Sequence, residues 1–277
     1  MNRWWSGKRV SPGRFLCAAV VLILILSTFF GSAYAGESEN DEGWKIVIVP
    51  YLWALSLNGT VAVKGQKSDV DISFGDILDN LNIAAMADLE VSKGRFGVYV
   101  HPLYAKMEDS VSTDAAKADI TTNMFILEFG VNYRLGPYAL GSTTGASLPS
   151  VTVTPYKGGR YTYLDGDLNI KNDNLPSYTG DQDWIDPVIG LRTQWNITRR
   201  WNFILGGDIG GFGVGSHFAW SALGLVGYRF NFSKSVTGNV LLGYRALDQN
   251  YDTGTGSNYF EWDTTMYGPL LGLSIAF

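Results

Sequence analysis

Apolar and polar residues alternate with period two along most of the chain, as they do in strands that bury one face. In LLGLSIAF, at the end of the sequence, Leu271, Leu273, Ile275 and Phe277 alternate with Gly272, Ser274 and Ala276. In DWIDPVIGLRTQWNIT, Ile185, Pro187, Ile189, Leu191, Trp195 and Ile197 oppose Asp186, Gly190, Arg192, Gln194 and Asn196. Trp201, Phe203, Leu205 and Ile209 oppose Asn202, Gly206, Asp208 and Gly210, and Val240, Leu242 and Tyr244 oppose Asn239, Gly243 and Arg245. The pattern predicts ten strands, at 44–57, 81–91, 95–107, 119–135, 151–164, 184–197, 201–212, 217–230, 236–247 and 259–277. No stretch of helical period competes at comparable length.

The connections differ in kind. SKG, TRR and NFSKS are tight, and GPYALGSTTGASLPS is longer. The spans on the other side are mostly long and polar, such as EDSVSTDAAKA and DGDLNIKNDNLPSYTGDQD. Short turns on one side and long loops on the other are the asymmetry of an outer-membrane barrel, and an even strand count puts both ends on the short-turn side. The chain therefore reads as all-β, a single antiparallel transmembrane β-barrel of about ten strands, within a range of eight to twelve. The polar face mixes both charges with glycine, which suits a narrow lumen better than a solvent-facing coat. Apolar residues then face lipid. Aromatics near the turns and loop ends, among them Trp44, Trp184, Trp195, Trp201, Tyr228 and Phe277, read as membrane-interface anchors. Trp220, Tyr259 and Trp262 lie near loop ends as well.

Three strands fit less cleanly, the third among them, where Phe96, Val98, Val100 and Tyr104 oppose Arg95, Gly97, Tyr99 and His101. IVIVPYLWAL is apolar on both faces. VTVTPYKGGRYTYL puts Lys157 on the lipid face, and a register break at Gly158-Gly159 would repair it. The span 58–80 holds SFGDILDNL, a short helix capped by Ser73 with Phe74, Ile77, Leu78 and Leu81 on one side.

The first residues change the picture of where the chain goes. Arg3, Lys8, Arg9 and Arg14 precede the apolar run FLCAAVVLILILSTFF, and Ala33 and Ala35 stand at small-residue positions. This is a secretory signal, with cleavage expected after Ala35, so residues 1–35 are the signal peptide and 36–277 the barrel. The apolar run is 16 residues, short of the ~20 a spanning helix needs. Cys17 lies within it, so the mature chain has no cysteine chemistry. Loss of the leader leaves 17 basic residues against 26 acidic, a net charge of −9 that argues against nucleic acid. Abundant glycine (33) and aromatics (14%) with few charges (17%) favour exposed apolar β-structure over a soluble enzyme.

PYLWAL, DVDISFGDILDNLN, GGRYTYLDGDL, DWIDPVIGLR, GDIGGFGVGS, LGYRALDQNYD and MYGPLLGLSIAF together span nearly the whole mature chain. They resemble a widespread, uncharacterised family of Gram-negative outer-membrane β-barrel proteins. The resemblance implies the barrel fold and the outer membrane, with the C-terminal strand and its Phe277 read by the barrel-assembly machinery. It carries no assigned activity and transfers no catalytic residues.

The candidate chemistry lies in the lumen. Asp88, Glu90, His101, Glu128, Asp186, Arg192, Asp208, Arg229 and Arg245 are the expected lumen-lining set. If they pair across the bore, the barrel is plugged and structural. If acids and arginines segregate on opposite walls, a small solute or ion passes. The alternative is an outer-membrane enzyme, a lipid deacylase, lipase or protease at the extracellular rim. His101 and His217 are the chain's two imidazoles. Ser216 and His217 are adjacent, so on a strand they point to opposite faces, which is poor geometry for proton transfer. No catalytic set is assigned. GDIGGFGVGS lacks the helix start a phosphate cradle needs. The acids of DGDL and DQDWID match no calcium-loop spacing and read as a solvated loop. The expectation is no metal and no cofactor, with outer-membrane lipid and lipopolysaccharide as surroundings and a monomer by default.

Overall fold

The computed structural model describes residues 43–112, 117–141, 149–170, 178–233 and 235–277, and the expected leader lies outside them. The elements are β1 (Trp44–Trp53), β2 (Ser56–Val63), β3 (Gln66–Ile72), α1 (Phe74–Asn80), β4 (Leu81–Lys93), β5 (Phe96–Ser112) and β6 (Lys117–Tyr133). They continue with β7 (Leu135–Ala139), β8 (Ser150–Ile170), β9 (Tyr178–Asn196), β10 (Trp201–Gly210), β11 (Phe218–Asn231), β12 (Thr237–Thr253) and β13 (Phe260–Ala276). β1, β4, β5, β6, β8, β9, β10, β11, β12 and β13 follow one another around a closed antiparallel barrel of ten strands. It closes where β1 meets β13, from Val47 opposite Ala276 to Trp53 opposite Leu270. Closure leaves the inner half of the wall without an unpaired strand edge, which hydrocarbon would not tolerate. The short β7, in the long turn, pairs with the start of β8.

The predicted first strand is two strands. β1 breaks at Ala54 and Leu55, where the Ala54 amide donates to the Pro269 carbonyl at 2.9 Å, and β2 rejoins β13 through Ser56–Ala62. The chain then reverses at Lys64 and Gly65, both with positive φ (53° and 77°), into β3. This hairpin was not predicted, because the polar residues of 58–72 read as a loop. β4 pairs with β1 only over Ala87–Lys93, and β3 forms no ladder with β4. A seam therefore opens in the outer half of the wall beside Leu81–Met86.

Helix α1 crosses that seam. β3 ends level with Leu57 and β4 begins level with Met107, so the helix climbs between them, touching β2 and β5. Ser73 caps it as expected: its hydroxyl accepts from the Asp76 amide at 3.3 Å, and the Asp76 carboxylate accepts from the Ser73 amide at 3.1 Å. Of the apolar set predicted for one side, Ile77 is buried while Phe74 and Leu78 are exposed.

β8 corrects a second expectation. It pairs residue by residue with β6 and β9, and Gly158 and Gly159 hold register without a bulge. The reason for glycine is close approach: a Cβ on Gly158 would stand 1.8 Å from the Phe129 carbonyl oxygen, and one on Gly130 2.2 Å from that of Lys157. Lys157 stays on the outer face, opposite Val131 and Ile189. Its long stem lets the ammonium reach away from hydrocarbon. β5, β6, β8 and β9 also run on through spans that read as loops, with Ser112 opposite Lys117 and Leu168 opposite Tyr178.

The outer face carries an apolar belt that includes Leu52, Val98, Ile189, Leu205 and Leu242, each more than half exposed. At its inner edge Trp201 meets Tyr228 edge-on at 5.1 Å, and Lys93 lies 5.7 Å over the Trp44 ring. Trp195, on the same face, donates to the Thr193 hydroxyl, and Phe277 is exposed beside Ile46. Trp184 and Trp262, expected at the interface, are instead buried inside the barrel. Trp184 shares its face with Asp186 two residues on, and stacks on Tyr251 at 4.3 Å. Tyr104, Tyr161, Trp220, Tyr244 and Tyr267, on the outward face by register, are among the aromatics at the outer edge. Apolar belt, two aromatic edges and closure together place the barrel in a bacterial outer membrane.

Candidate functional site in the barrel lumen

At the centre is Arg160, on β8 and fully buried. Its Nη2 donates to Glu128 Oε2 on β6 at 2.8 Å and to Asp208 Oδ1 on β10 at 2.7 Å, while Nε reaches the same Glu128 oxygen at 3.2 Å. Asp208 Oδ2 accepts from Tyr156 at 3.1 Å and from Ser221 at 2.5 Å. His101 Nδ1 lies 3.8 Å from the other Glu128 oxygen. Small residues make room for the rings that flank this group: a Cβ on Gly190 would fall 2.3 Å from the Tyr156 ring.

A second bond spans the bore. Arg192 on β9 donates to Glu90 on β4 at 2.6 Å, and those strands are four places apart in a ring of ten. Arg245 on β12 donates to the Tyr51 hydroxyl on β1 at 3.1 Å, with its guanidinium 5.1 Å over the Trp53 ring. Toward the inner mouth, Arg229 donates to Asn196 at 3.0 Å, and Asn202 and Asn239 exchange amide bonds at 3.2 Å. Among the groups named here β4 and β6 carry acids and β11 and β12 arginines, the two kinds mix on β8, β9 and β10, and the Arg160 and Arg192 bonds join them across the bore. An isolated charge buried as deeply as Arg160 would be costly, and its bonds to Glu128 and Asp208 offset that desolvation. Asp88 Oδ1 on β4 is buried without a hydrogen-bond partner among the described residues.

Asp186 stands directly across the β8–β9 ladder from Arg160, but its hydrogen bonds run toward the outer mouth. It accepts from the Ser216 amide (2.6 Å), the Ser216 hydroxyl (2.8 Å) and Gln249 (3.2 Å), and Gln249 in turn donates to Thr162 at 3.0 Å. The neighbouring His217 ring is exposed and pairs with Asp252. Ser216 and His217 serve different carboxylates. Among the described residues, no three His, Cys, Asp or Glu converge as metal ligands. A groove of about 650 Å³ lies on the barrel wall between β9, β10 and β11, where Ile189, Ile209, Phe218 and Trp220 face lipid.

At the outer rim Lys67 pairs with Glu261 at 2.6 Å, tying β3 to β13. That bond holds the ammonium above its ordinary range. In α1 the Asp76 carboxyl is held below the usual carboxylate range by the Ser73 hydroxyl and amide.

Sequence reasoning missed Arg160, the hub, along with Tyr51, Tyr156 and Gln249. The signal was present in β8, where Thr152, Thr154, Tyr156, Gly158, Arg160 and Thr162 alternate without interruption. The supposed break at the glycine pair hid it.

No protein-family model matches the chain, and no curated protein sequence does. Solved structures similar to it are bacterial barrels. The translocator domain of the autotransporter NalP from Neisseria meningitidis is 11% identical, with 95% of each chain covered and a TM-score of 0.40. The attachment invasion locus protein Ail of Yersinia pestis, solved with the heparin analogue sucrose octasulfate, is 13% identical, with 85% of this chain and 99% of that one covered and a TM-score of 0.36. A FadL homologue of Pseudomonas aeruginosa is 8% identical, with 84% and 90% covered and a TM-score of 0.29.

Proposed function

We propose that the protein is an outer-membrane barrel whose lumen is closed at rest by its own side chains, with a structural role in the membrane and with its outer extensions available for contacts outside the cell. The observation that carries this reading is Arg160, at 0% exposure and bonded to both Glu128 and Asp208. The Glu90–Arg192 bond across the bore supports it, because a hydrated ion has no continuous path through bonded side chains. Lipid and lipopolysaccharide surround the belt, and the final strand is the segment the assembly machinery would read.

A narrow ion channel is the second reading. It is favoured by the partial exposure of the Arg192 and Glu90 side chains, 35% and 21%, which brings water to that pair. Single-channel recording in planar bilayers separates the two. The native barrel is expected to be silent, and a Glu90→Ala, Arg192→Ala variant to show discrete openings. Steady conductance from the native protein, altered in the variant, would establish the channel instead.

A further inference from the structure

The outer half of the lumen is built differently from the ionic half. Its interior, the chamber, is filled by a packed apolar cluster that includes Leu103, Ile126, Leu164 and Leu247, with Ile77 of α1 inserted from the seam, and that runs on toward the inner mouth through Leu270 and Leu241. The chain has five methionines, and all four beyond Met1 belong to this chamber: Met124 and Met266 are buried in it, and Met86 and Met107 pack against it. Methionine is the most adaptable apolar side chain, and it is favoured where a surface must repack around a guest. An ordinary core has no need to gather every internal methionine in one place.

The chamber also holds polar atoms with nothing to bond. Trp184 Nε1, Trp262 Nε1 and Thr264 Oγ1 are buried without a hydrogen-bond partner among the described residues. Trp184, Trp262 and Thr264 are 5%, 7% and 1% exposed, and their strand parity turns all three inward. A buried donor left unbonded is unfavourable, so native proteins rarely keep several together without a purpose. Two indole N–H groups can only donate. Their missing partner is therefore an acceptor.

The third observation is the seam. Beside Leu81–Met86 the wall has no ladder, and the seven-residue helix α1 fills the gap, with Ile77 as its one buried residue. Elsewhere a guest would have to part a hydrogen-bonded sheet. Here it need only displace a short helix held by its cap and by the Phe74 amide donating to Ser56 at 3.0 Å. The outward residues on either side, Leu52 and Ile83, are 69% and 51% exposed, so the seam is bordered by apolar surface.

We infer that the chamber is a binding site for a free fatty acid: the acyl chain lies among the methionines and leucines, the carboxyl group accepts from Trp184 and Trp262, and α1 is the lid through which it enters. The site is independent of whether the lumen conducts.

The test is native mass spectrometry of the whole barrel, purified from membranes in detergent, against hexadecanoic acid. The expected result is a saturable one-to-one adduct. It is expected to be at least tenfold weaker in a Trp184→Phe, Trp262→Phe variant and more abundant in Ile77→Ala, where the lid has lost its anchor. In the double variant phenylalanine keeps one aromatic ring at each position and loses the pyrrole ring together with the unbonded N–H, so some packing is lost as well; the unfolding midpoint is measured beside the adduct, and weaker binding by a variant that is still folded cannot be put down to misfolding. Hexadecane, which has no acceptor, should give no adduct. Absence of a saturable adduct in both the native protein and Ile77→Ala would overturn the proposal. So would equal binding by the double variant, which would put the acid on the outer belt. An adduct with a lysophospholipid of the same chain length but not with the acid would overturn the assignment to a free acid.

Discussion

The two halves of the lumen are enclosed by the same strands and filled by opposite chemistries. The inner half is bonded: Arg160, Arg192 and Arg245 each reach across to a partner on another strand, and few of those groups could be moved without leaving another unpaired. The outer half is mostly packed: leucine, methionine and tryptophan fill it with contacts that have no direction, beside the one bonded group at Asp186. Polar atoms without a partner among the described residues occur in both halves, at Asp88, Tyr99 and Arg160 in the inner and at Trp184, Trp262 and Thr264 in the outer. A directional network fails when one member is lost, whereas an apolar filling weakens in proportion to the volume removed. The inner half thus suits a fixed seal and the outer half a space that can repack.

That contrast is most sharply broken at Arg160. Arg160→Ala leaves Glu128 and Asp208 buried without their cation, and loss of one partner from such a group costs about 3–5 kcal/mol. Denaturant unfolding of the barrel in detergent should show a drop of that size, or failure to reach the compact form on refolding. In the apolar half, Leu247→Ala should cost about 2–5 kcal/mol by the same measurement, graded by the cavity it leaves. It should leave bilayer conductance unchanged, and a Leu247→Met variant should recover most of the loss. A conductance change in Leu247→Ala would mean that the two halves are not separable.

The smallest effect is expected at the lid. Ser73→Ala removes the cap of α1, worth about 1 kcal/mol locally. Amide exchange at Ile77, whose N–H bonds to the Ser73 carbonyl, should quicken with no shift in global unfolding. Asp76 adds a pH dependence with a definite sign. Its carboxyl is depressed in the folded chain, so its contribution is full above the unfolded carboxylate value and is lost as pH falls through the lowered folded value. Exchange at Ile77, corrected for its intrinsic pH dependence, should therefore rise at acid pH, and Asp76→Asn should abolish that rise.

Much of the barrel was legible because a strand in a closed sheet has only two faces, and a run such as Ile185, Pro187, Ile189, Leu191 declares which one meets lipid. The helix cap at Ser73 was legible for the same kind of reason, a local bond between residues three apart. What failed locally failed for a physical cause. The glycine pair at 158–159 reads as a bulge in the sequence, but in the sheet it permits close approach to the Phe129 carbonyl. Trp184 reads as an interface anchor by its type and place, yet its parity with Asp186 turns it inward.

The sequence by itself determined the strand pattern, the lipid-facing alternation and the stock of charges placed on the inner face, because these depend on neighbours one to four residues away. Only the tertiary structure decided which charges bond to which. It also decided that the chain parts from β4 after Pro50 while β2 keeps pairing with β13, which opens a seam, and that four scattered methionines meet in one cluster. Those outcomes depend on ring closure and register, which bring Glu90 to Arg192 and Thr162 to Gln249 across separations that no local pattern records.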